Sequence, residues 1–246
     1  MELNHMNSTA TGTLYVIPNT LGNTPPLAVM PTTIRDIISS IDHFVFEKEK
    51  VGRSYIKSVC PEKQQSELFV QMLNKHTSPT EILEILAPCM AGNDMALISD
   101  AGCPGVADPG ADLVRLAHGQ QIVIRPLVGP SSILLALMGS GLNGQQFAFN
   151  GYLPIDKKDC KQAIKKYERL SFTQNQTQIF IETPYRNERC FTLLLNSLSA
   201  ETLLNVACDL TLASEQIQTK RVSEWNVNHI DLHKRPCVFS FLQPSA

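Results

Sequence analysis

The sequence has no Cys-x-x-Cys pair, a single tryptophan in 246 residues, and no apolar run approaching the roughly 18 residues that a membrane-spanning helix needs. Its seven cysteines, at 60, 89, 103, 160, 190, 208 and 237, are odd in number and scattered. That pattern excludes a disulfide framework and fits reduced thiols of a cytosolic protein. Met1 to Gly12 has neither the basic nor the apolar region of an export signal, so a soluble, cytoplasmic protein with no membrane partner is expected. His229 and His233 are four residues apart, but no glutamate follows His229 and no cysteine pair accompanies them, so no metal is expected. No large excess of one charge exists either: 21 Lys and Arg face 23 Asp and Glu, a net charge of −2. A strong overall field toward nucleic acid is thereby excluded.

Several nucleotide and hydrolase signatures are absent as well. Gly102 and Gly105 are not followed by Lys-Ser/Thr, which argues against a phosphate-binding P-loop. The first apolar run ends in Pro18-Asn19 instead of a G-x-G-x-x-G turn, which argues against a dinucleotide-binding unit and against the commonest methyltransferase fold. Gly129-Pro130-Ser131-Ser132 lacks the G-x-S-x-G elbow, so Ser131 reads as a helix cap in preference to a nucleophile.

What is present is alternation. Thr13 to Ile17, His43 to Phe46, Met95 to Ile98 and Gln121 to Ile124 read as strands. Thr33 to Ser39, Glu67 to Leu73, Pro79 to Met90 and Asp112 to His118 show helical apolar spacing. The second half repeats the theme, with strands at Phe147 to Phe149, Gln178 to Glu182, Val206 to Leu210 and Cys237 to Leu242. Helices are expected there near Ser131 to Met138, Lys158 to Leu170 and Arg186 to Leu198. Such alternation implies α/β layers, and a boundary near Pro126 to Gly129 divides the chain into domains 12–126 and 127–246. Charge is uneven across it: residues 1–126 carry 9 basic and 13 acidic residues, and the remainder 12 and 10. The difference concentrates at Lys157, Lys158, Lys161, Lys165, Lys166 and Arg169, which is either a solvated helix face or a contact for an anionic substrate.

The densest local signal is Ser99-Asp100-Ala101-Gly102-Cys103-Pro104-Gly105-Val106-Ala107-Asp108-Pro109-Gly110, directly after an apolar strand. Glycine lets backbone approach a ligand and proline fixes the path, so this is a candidate binding loop. Turn-prone segments at 18–22, 126–132 and 183–186 also follow strands, and loops of this kind can converge on one site. Cys103 is either a small lining residue or, with its thiolate stabilised, a nucleophile; no nearby His or Lys activates it. Asp100 is a base, a ligand contact or a loop brace.

Taken in order, Leu14 to Asn23, Ser99 to Gly110, Pro126 to Ser132, Gly151-Tyr152-Leu153-Pro154 and Glu182-Thr183-Pro184-Tyr185-Arg186 resemble the motifs of the tetrapyrrole methylase superfamily of S-adenosylmethionine-dependent methyltransferases. Within it the likeness is to the small-subunit ribosomal RNA 2′-O-ribose (cytidine) branch and covers about residues 12 to 220. The resemblance implies two αβα domains with the cofactor in the cleft between them, a homodimer, and RNA or the ribosomal small subunit as partner. It implies cofactor contacts at Pro18, Asn19, Gly102, Cys103 and Val106, at Ser131, Ser132 and Ile133, and at Thr183, Leu212, Ala213, Pro236 and Cys237. A ribose hydroxyl is a poor nucleophile, and Asp100 and Arg186 are the candidates to orient it. Departures fall on the acceptor side. Glu47-Lys48-Glu49-Lys50 stands where the branch carries Glu-Asp-Thr-Arg, and Cys208 to Leu212 stands where it carries Arg-Glu-Ile-Thr-Lys. A His-rich stretch before the signature loop is missing. The alternatives are methylation of a precorrin-type tetrapyrrole, or a non-catalytic protein that keeps the fold and binds RNA or a partner.

Overall fold

The computed structural model describes residues 11–227 and 230–244. The chain forms two compact units, one extending to Pro130 and one beginning at Ser131. The sequence placed the division at 126/127. The structure keeps 127–130 with the first unit because the Leu127 amide donates to Val16 O (2.9 Å) and the Leu127 side chain joins that unit's core.

In the first unit the elements follow as β1 (Thr13–Ile17), α1 (Thr33–Ser40), β2 (His43–Phe46), α2 (Glu49–Val59), β3 (Phe69–Met72), α3 (Pro79–Met90), β4 (Met95–Ile98), α4 (Gly110–Gly119) and β5 (Val123–Pro126). Its parallel sheet has the order β3-β2-β4-β1-β5. Successive residues of a strand point to opposite faces, and both faces here are covered, which is why β4 and the last three residues of β2 are unbroken apolar runs. Phe44, Phe46, Ala96 and Ile98 pack with α1 and α2, while Val45, Met95 and Leu97 pack with α3 and α4. Each fully buried Phe or Ile contributes about 1.5–3 kcal/mol. α3 starts at a reciprocal cap: Ser78 Oγ accepts from the Glu81 amide (3.3 Å) and Glu81 Oε2 from the Ser78 amide (2.7 Å).

The second unit contains α5 (Ser132–Ser140), β6 (Phe147–Tyr152), α6 (Lys157–Gln174), β7 (Thr177–Glu182), α7 (Asn187–Leu195), β8 (Leu203–Cys208), β9 (Gln216–Arg221) and β10 (Cys237–Leu242). Its mixed sheet runs β6-β7-β10-β8-β9, parallel only between β6 and β7. Phe180, Leu204, Val206, Phe239 and Phe241 form one core with α6 and α7. α5 packs against β8, β9 and β10.

Five elements differ from the expectation. Residues 67–73, read as helical, contain edge strand β3, in which Phe69 is 62% exposed and stacks on the His43 ring at 4.8 Å. Edge position, and not a buried helix face, explains its apolar spacing. α2 and β9 were not anticipated, because both are polar and α2 carries an internal glycine. A Cβ at Gly52 would lie 2.2 Å from Phe46 Cδ1, so helix and sheet touch there at a distance only glycine permits. β5 begins two residues later than read because Gln121 takes a left-handed turn (φ 57°) after α4, and β8 ends two residues earlier than read, at Cys208, where Asp209 does the same (φ 51°).

Candidate functional site

In the first sheet β1 and β4 are neighbours, yet α1 and α4, which follow them, lie on opposite faces. Their outgoing loops therefore part at the carboxyl ends of the strands, the usual place for a ligand in an open α/β sheet. Pro18, Asn19, Gly102, Cys103 and Val106 are brought together here. Asn19 and Gly102 form a two-bond bridge, Asn19 N to Gly102 O at 2.9 Å and Gly102 N to Asn19 O at 3.2 Å. The Asn19 side-chain amide donates to Ser99 O (3.0 Å) and Asp100 O (3.2 Å), and Ser99 Oγ donates to Gly102 O (2.8 Å). Pro18 is fixed through its carbonyl, which accepts from Tyr55 Oη at 2.9 Å.

The signature loop is braced rather than loose. Gly102 has φ +68°, where an added Cβ would lie 3.2 Å from Leu21 Cδ2. Asp108 Oδ1 accepts from the amides of Gly105 (2.6 Å) and Gly110 (2.8 Å) and so fastens the end of the loop to the start of α4. Burial raises the Asp108 carboxyl despite those two bonds. The Cys103 thiol contacts Pro130 O at 3.5 Å, and burial together with Asp108 raises it, which disfavours a thiolate nucleophile. Between these braces the Cys103 amide has no internal partner among the described residues, and Val106 is exposed.

Asp100 is an ion-pair member. Its carboxylate binds Lys48, its amide donates to Glu47 Oε1 (3.3 Å), and its carbonyl holds Asn19. The hydrogen bond to Asp100 raises the Lys48 ammonium, and burial raises Glu47. Ser99, Tyr55 and Asp108 are thus support residues not given a role from sequence, and Glu47 and Lys48, named there only as a departure from the branch's motif, support Asp100. Ser99 and Asp108 lie inside the quoted motif and could have been flagged; Tyr55 sits in the unanticipated helix.

In the second unit, strand register gathers another set. Cys237 opens β10 opposite Glu182 of β7 and Cys208 of β8, so Thr183, Pro236 and Cys237 share one end of the sheet with the 209–215 loop that carries Leu212 and Ala213. The Cys237 side chain is buried beside Cys208, with Sγ atoms 2.7 Å apart, so a ligand would meet its main chain. Arg235 staples this end. Nε binds Asp209 Oδ2 (2.8 Å), Nη2 the Ser214 carbonyl (2.7 Å) and Nη1 the Asp231 carbonyl (2.7 Å). Ser131 caps α5 through Leu134 N (3.4 Å) as expected, with Ser132 and Ile133 in the first turn. Arg186 is held by Glu182 Oε1 through Nε (2.9 Å) and Nη2 (2.5 Å), which leaves Nη1 without an internal partner.

The basic residues divide in a way the sequence did not reveal. Lys157 and Lys161 line a groove of about 550 Å³ with Arg189, Thr192 and Asn196 of α7 and the segment after it. Lys165 instead pairs with Glu168 (3.2 Å), and Lys166 lies over the Tyr167 ring at 5.7 Å. Among the described residues no group of three or more His, Cys, Asp or Glu is placed to hold a metal ion; His229 lies outside them. No helix among them is long and apolar enough to cross a membrane.

The two five-stranded sheets, one parallel and one mixed, match solved structures of the tetrapyrrole methylase fold. The structure of the methyltransferase CobJ matches with a TM-score of 0.63 at 15% identity, covering 95% of each chain. A conserved hypothetical protein of Aeropyrum pernix K1 matches with a TM-score of 0.67 at 14% identity, over 96% of this chain and 86% of that one. In sequence the chain is a distant homologue of ribosomal RNA small subunit methyltransferase I of Vibrio cholerae serotype O1, with 29% identity over 211 residues, 86% of this chain and 69% of the relative. No family model matches the chain.

Proposed function

We propose that the protein is an S-adenosylmethionine-dependent methyltransferase that acts on the ribose 2′-oxygen of ribosomal RNA. The observation that carries this reading is the main-chain cradle at Asn19 and Gly102–Cys103, in a chain homologous to a ribosomal RNA methyltransferase. The cofactor fits the cradle's chemistry. A cationic, phosphate-free ligand needs amides, carbonyls and small residues in place of a lysine-bearing loop, and the cradle offers a side-chain-free Gly102 and an unpaired Cys103 amide. When bound, the cofactor supplies a methyl group already activated by sulfonium charge.

The protein's own task is then to position the acceptor hydroxyl and keep water away. Asp100, held in place by its ion pair with Lys48, suits this as a hydrogen-bond acceptor that orients the hydroxyl. Arg186, already bound to Glu182, offers its remaining terminal nitrogen to a phosphate or carbonyl of the acceptor. The groove of Lys157, Lys161 and Arg189 supplies a track for the RNA backbone. A homodimer belongs to the same reading, with the apolar residues Val114 and Ile124 at edge strand β5 as its candidate surface. The seven free cysteines fit the cytoplasm.

The test is calorimetric titration with S-adenosylmethionine and S-adenosylhomocysteine, followed by incubation with methyl-labelled cofactor and small ribosomal subunits from cells lacking the gene. The expected result is micromolar binding of both and label in alkali-resistant dinucleotides, since 2′-O-methylation protects the adjacent phosphodiester. A folded protein that binds neither cofactor form refutes the reading. Binding of RNA and cofactor without transfer of label supports the non-catalytic alternative instead.

A further inference from the structure

α2 presents Lys50, Ser54 and Ser58 at intervals of four residues, so all three fall on one helix face. On an ordinary surface helix such a face is simply solvated. Here it forms one wall of a cavity of about 430 Å³, whose other wall is the 19–24 loop together with Asp100 and Ala101. Gly52, Tyr55, Ile56 and Val59, on the rest of the helix, are buried against the sheet, so the polar wall is fixed in place.

Several lining residues are already committed, Asp100 to Lys48 among them. Tyr55 Oη donates to Pro18 O, and the Asn19 side-chain amide donates to Ser99 O and Asp100 O. Among the described residues, the side chains of Lys50, Ser54, Ser58 and Asn23 make no internal hydrogen bond or ion pair. The cavity thus offers one unpaired cation, two hydroxyls, an amide and, at its rim, the Asp100 carboxylate. With the cofactor-loop residues it shares only Asn19: Pro18, Gly102, Cys103 and Val106 do not line it. It therefore adjoins the cradle without being the cradle, as the pocket of an acceptor must.

We propose that this cavity receives the acceptor ribonucleotide, with Lys50 on its phosphate, Ser54, Ser58 and Asn23 on its hydroxyls and base edge, and Asp100 beside the 2′-hydroxyl. The inference rests on the methyltransferase reading and names the substrate subsite within it. The volume lies toward the lower end of small-ligand pockets, roughly 300–1,000 Å³, and is enough for one nucleotide. A tetrapyrrole ringed with carboxylates would require several cations and a broad apolar wall, and the cavity has one unpaired lysine.

The test uses the full chain with cytidine 5′-monophosphate and cytidine as probes, titrated with S-adenosylhomocysteine present and absent. Cytidine 5′-monophosphate should bind at least tenfold tighter than cytidine, and Lys50→Ala should erase that difference while leaving the affinity for S-adenosylhomocysteine and the melting temperature unchanged. Ser54→Tyr, at an exposed helix position, should fill the cavity and block both probes. The proposal is overturned if the wild type binds neither probe, or if both variants bind cytidine 5′-monophosphate within twofold of wild type. Failure of S-adenosylhomocysteine to bind, with Lys50-dependent nucleotide binding retained, would instead count against the methyltransferase reading and leave the pocket standing.

Discussion

Replacement of Gly102 tests the cradle most directly, and Gly102→Ala and Gly102→Val separate its two costs. At φ +68° any L side chain pays roughly 1–2 kcal/mol against the right-handed regions, and a β-branched one more. Relaxation by rotating the peptide is blocked, because both the amide and the carbonyl of Gly102 are bonded to Asn19, each bond contributing about 1 kcal/mol. The new Cβ meets Leu21 Cδ2 at 3.2 Å, a methyl that can give way, so alanine fits sterically while valine does not. The alanine variant should therefore fold and melt roughly 3–8 °C lower. Strain present with and without ligand does not alter affinity, but a methyl placed over the Gly102–Cys103 peptide does. S-adenosylhomocysteine binding should weaken about tenfold in Gly102→Ala, or about 1.4 kcal/mol, and be lost in Gly102→Val. Differential scanning fluorimetry and calorimetry read the two effects separately. An unchanged melting temperature would refute the strained geometry; a lowered one with unchanged affinity would refute the cradle.

Lys157→Ala, Lys161→Ala and Arg189→Ala combined should flatten the slope of log affinity for RNA against log salt by about 2, whereas Lys165→Ala, whose ammonium is held by Glu168, should leave it unaltered. Arg235→Ala strands the buried Asp209 carboxylate and frees the 209–215 loop, at a cost of about 3 kcal/mol in chemical denaturation; a loss below 0.5 kcal/mol would mean that the staple is solvated. Burial raises Glu47 and Asp108, so the folded protein retains protons that the unfolded chain has released, and stability falls as pH rises above the ordinary carboxylate pKa of about 4. Glu47→Gln should remove part of that slope and be neutral or stabilising at pH 7, and equal destabilisation at pH 5 and pH 7 would contradict the assignment. Cys103, the one cysteine that is not fully buried, should alkylate slowly at pH 7 and faster with rising pH; fast labelling at neutral pH would show a thiolate the structure does not support.

Much of this architecture was legible in the sequence because the central strands are buried on both faces. β1, β2 and β4 appear as compact apolar runs with the bounds the structure gives, and α3 declares itself through its Ser78-Pro79 start. Of the four edge strands, β5 and β6 were read as strands, but β3 and β9 were not. β3 and β9 meet the sheet on one side only, and their half-exposed residues carry neither a clean alternation nor a helical stripe. α2 hid behind Gly52, whose reason is the Phe46 ring, a contact invisible along the chain. At the site, glycines and prolines announced the loop, but the side chains that hold it did not announce themselves. Lys48 reaches Asp100 across 52 positions and Asn19 reaches Ser99 across 80, distances at which sequence pattern carries no information. The basic helix was visible as composition, and only its partners Glu168 and Tyr167 divide it into engaged and available cations.

β1 pairs only with β4 and β5, so the first strand of the sheet has no partner until residues near Met95 exist. A ribosome making this chain leaves the Leu14-Tyr15-Val16-Ile17 ribbon unpaired through roughly the next 80 residues, several seconds or more at about 5–20 residues per second. During that interval it is an adhesive edge, a natural client for a holding chaperone. The slow step of folding should be its insertion between β4 and β5, since closing so long a loop precedes any reward from the contacts it brings. The Asn19–Gly102 bridge forms in the same event, so competence to bind a ligand and completion of the sheet should arrive together in a refolding experiment.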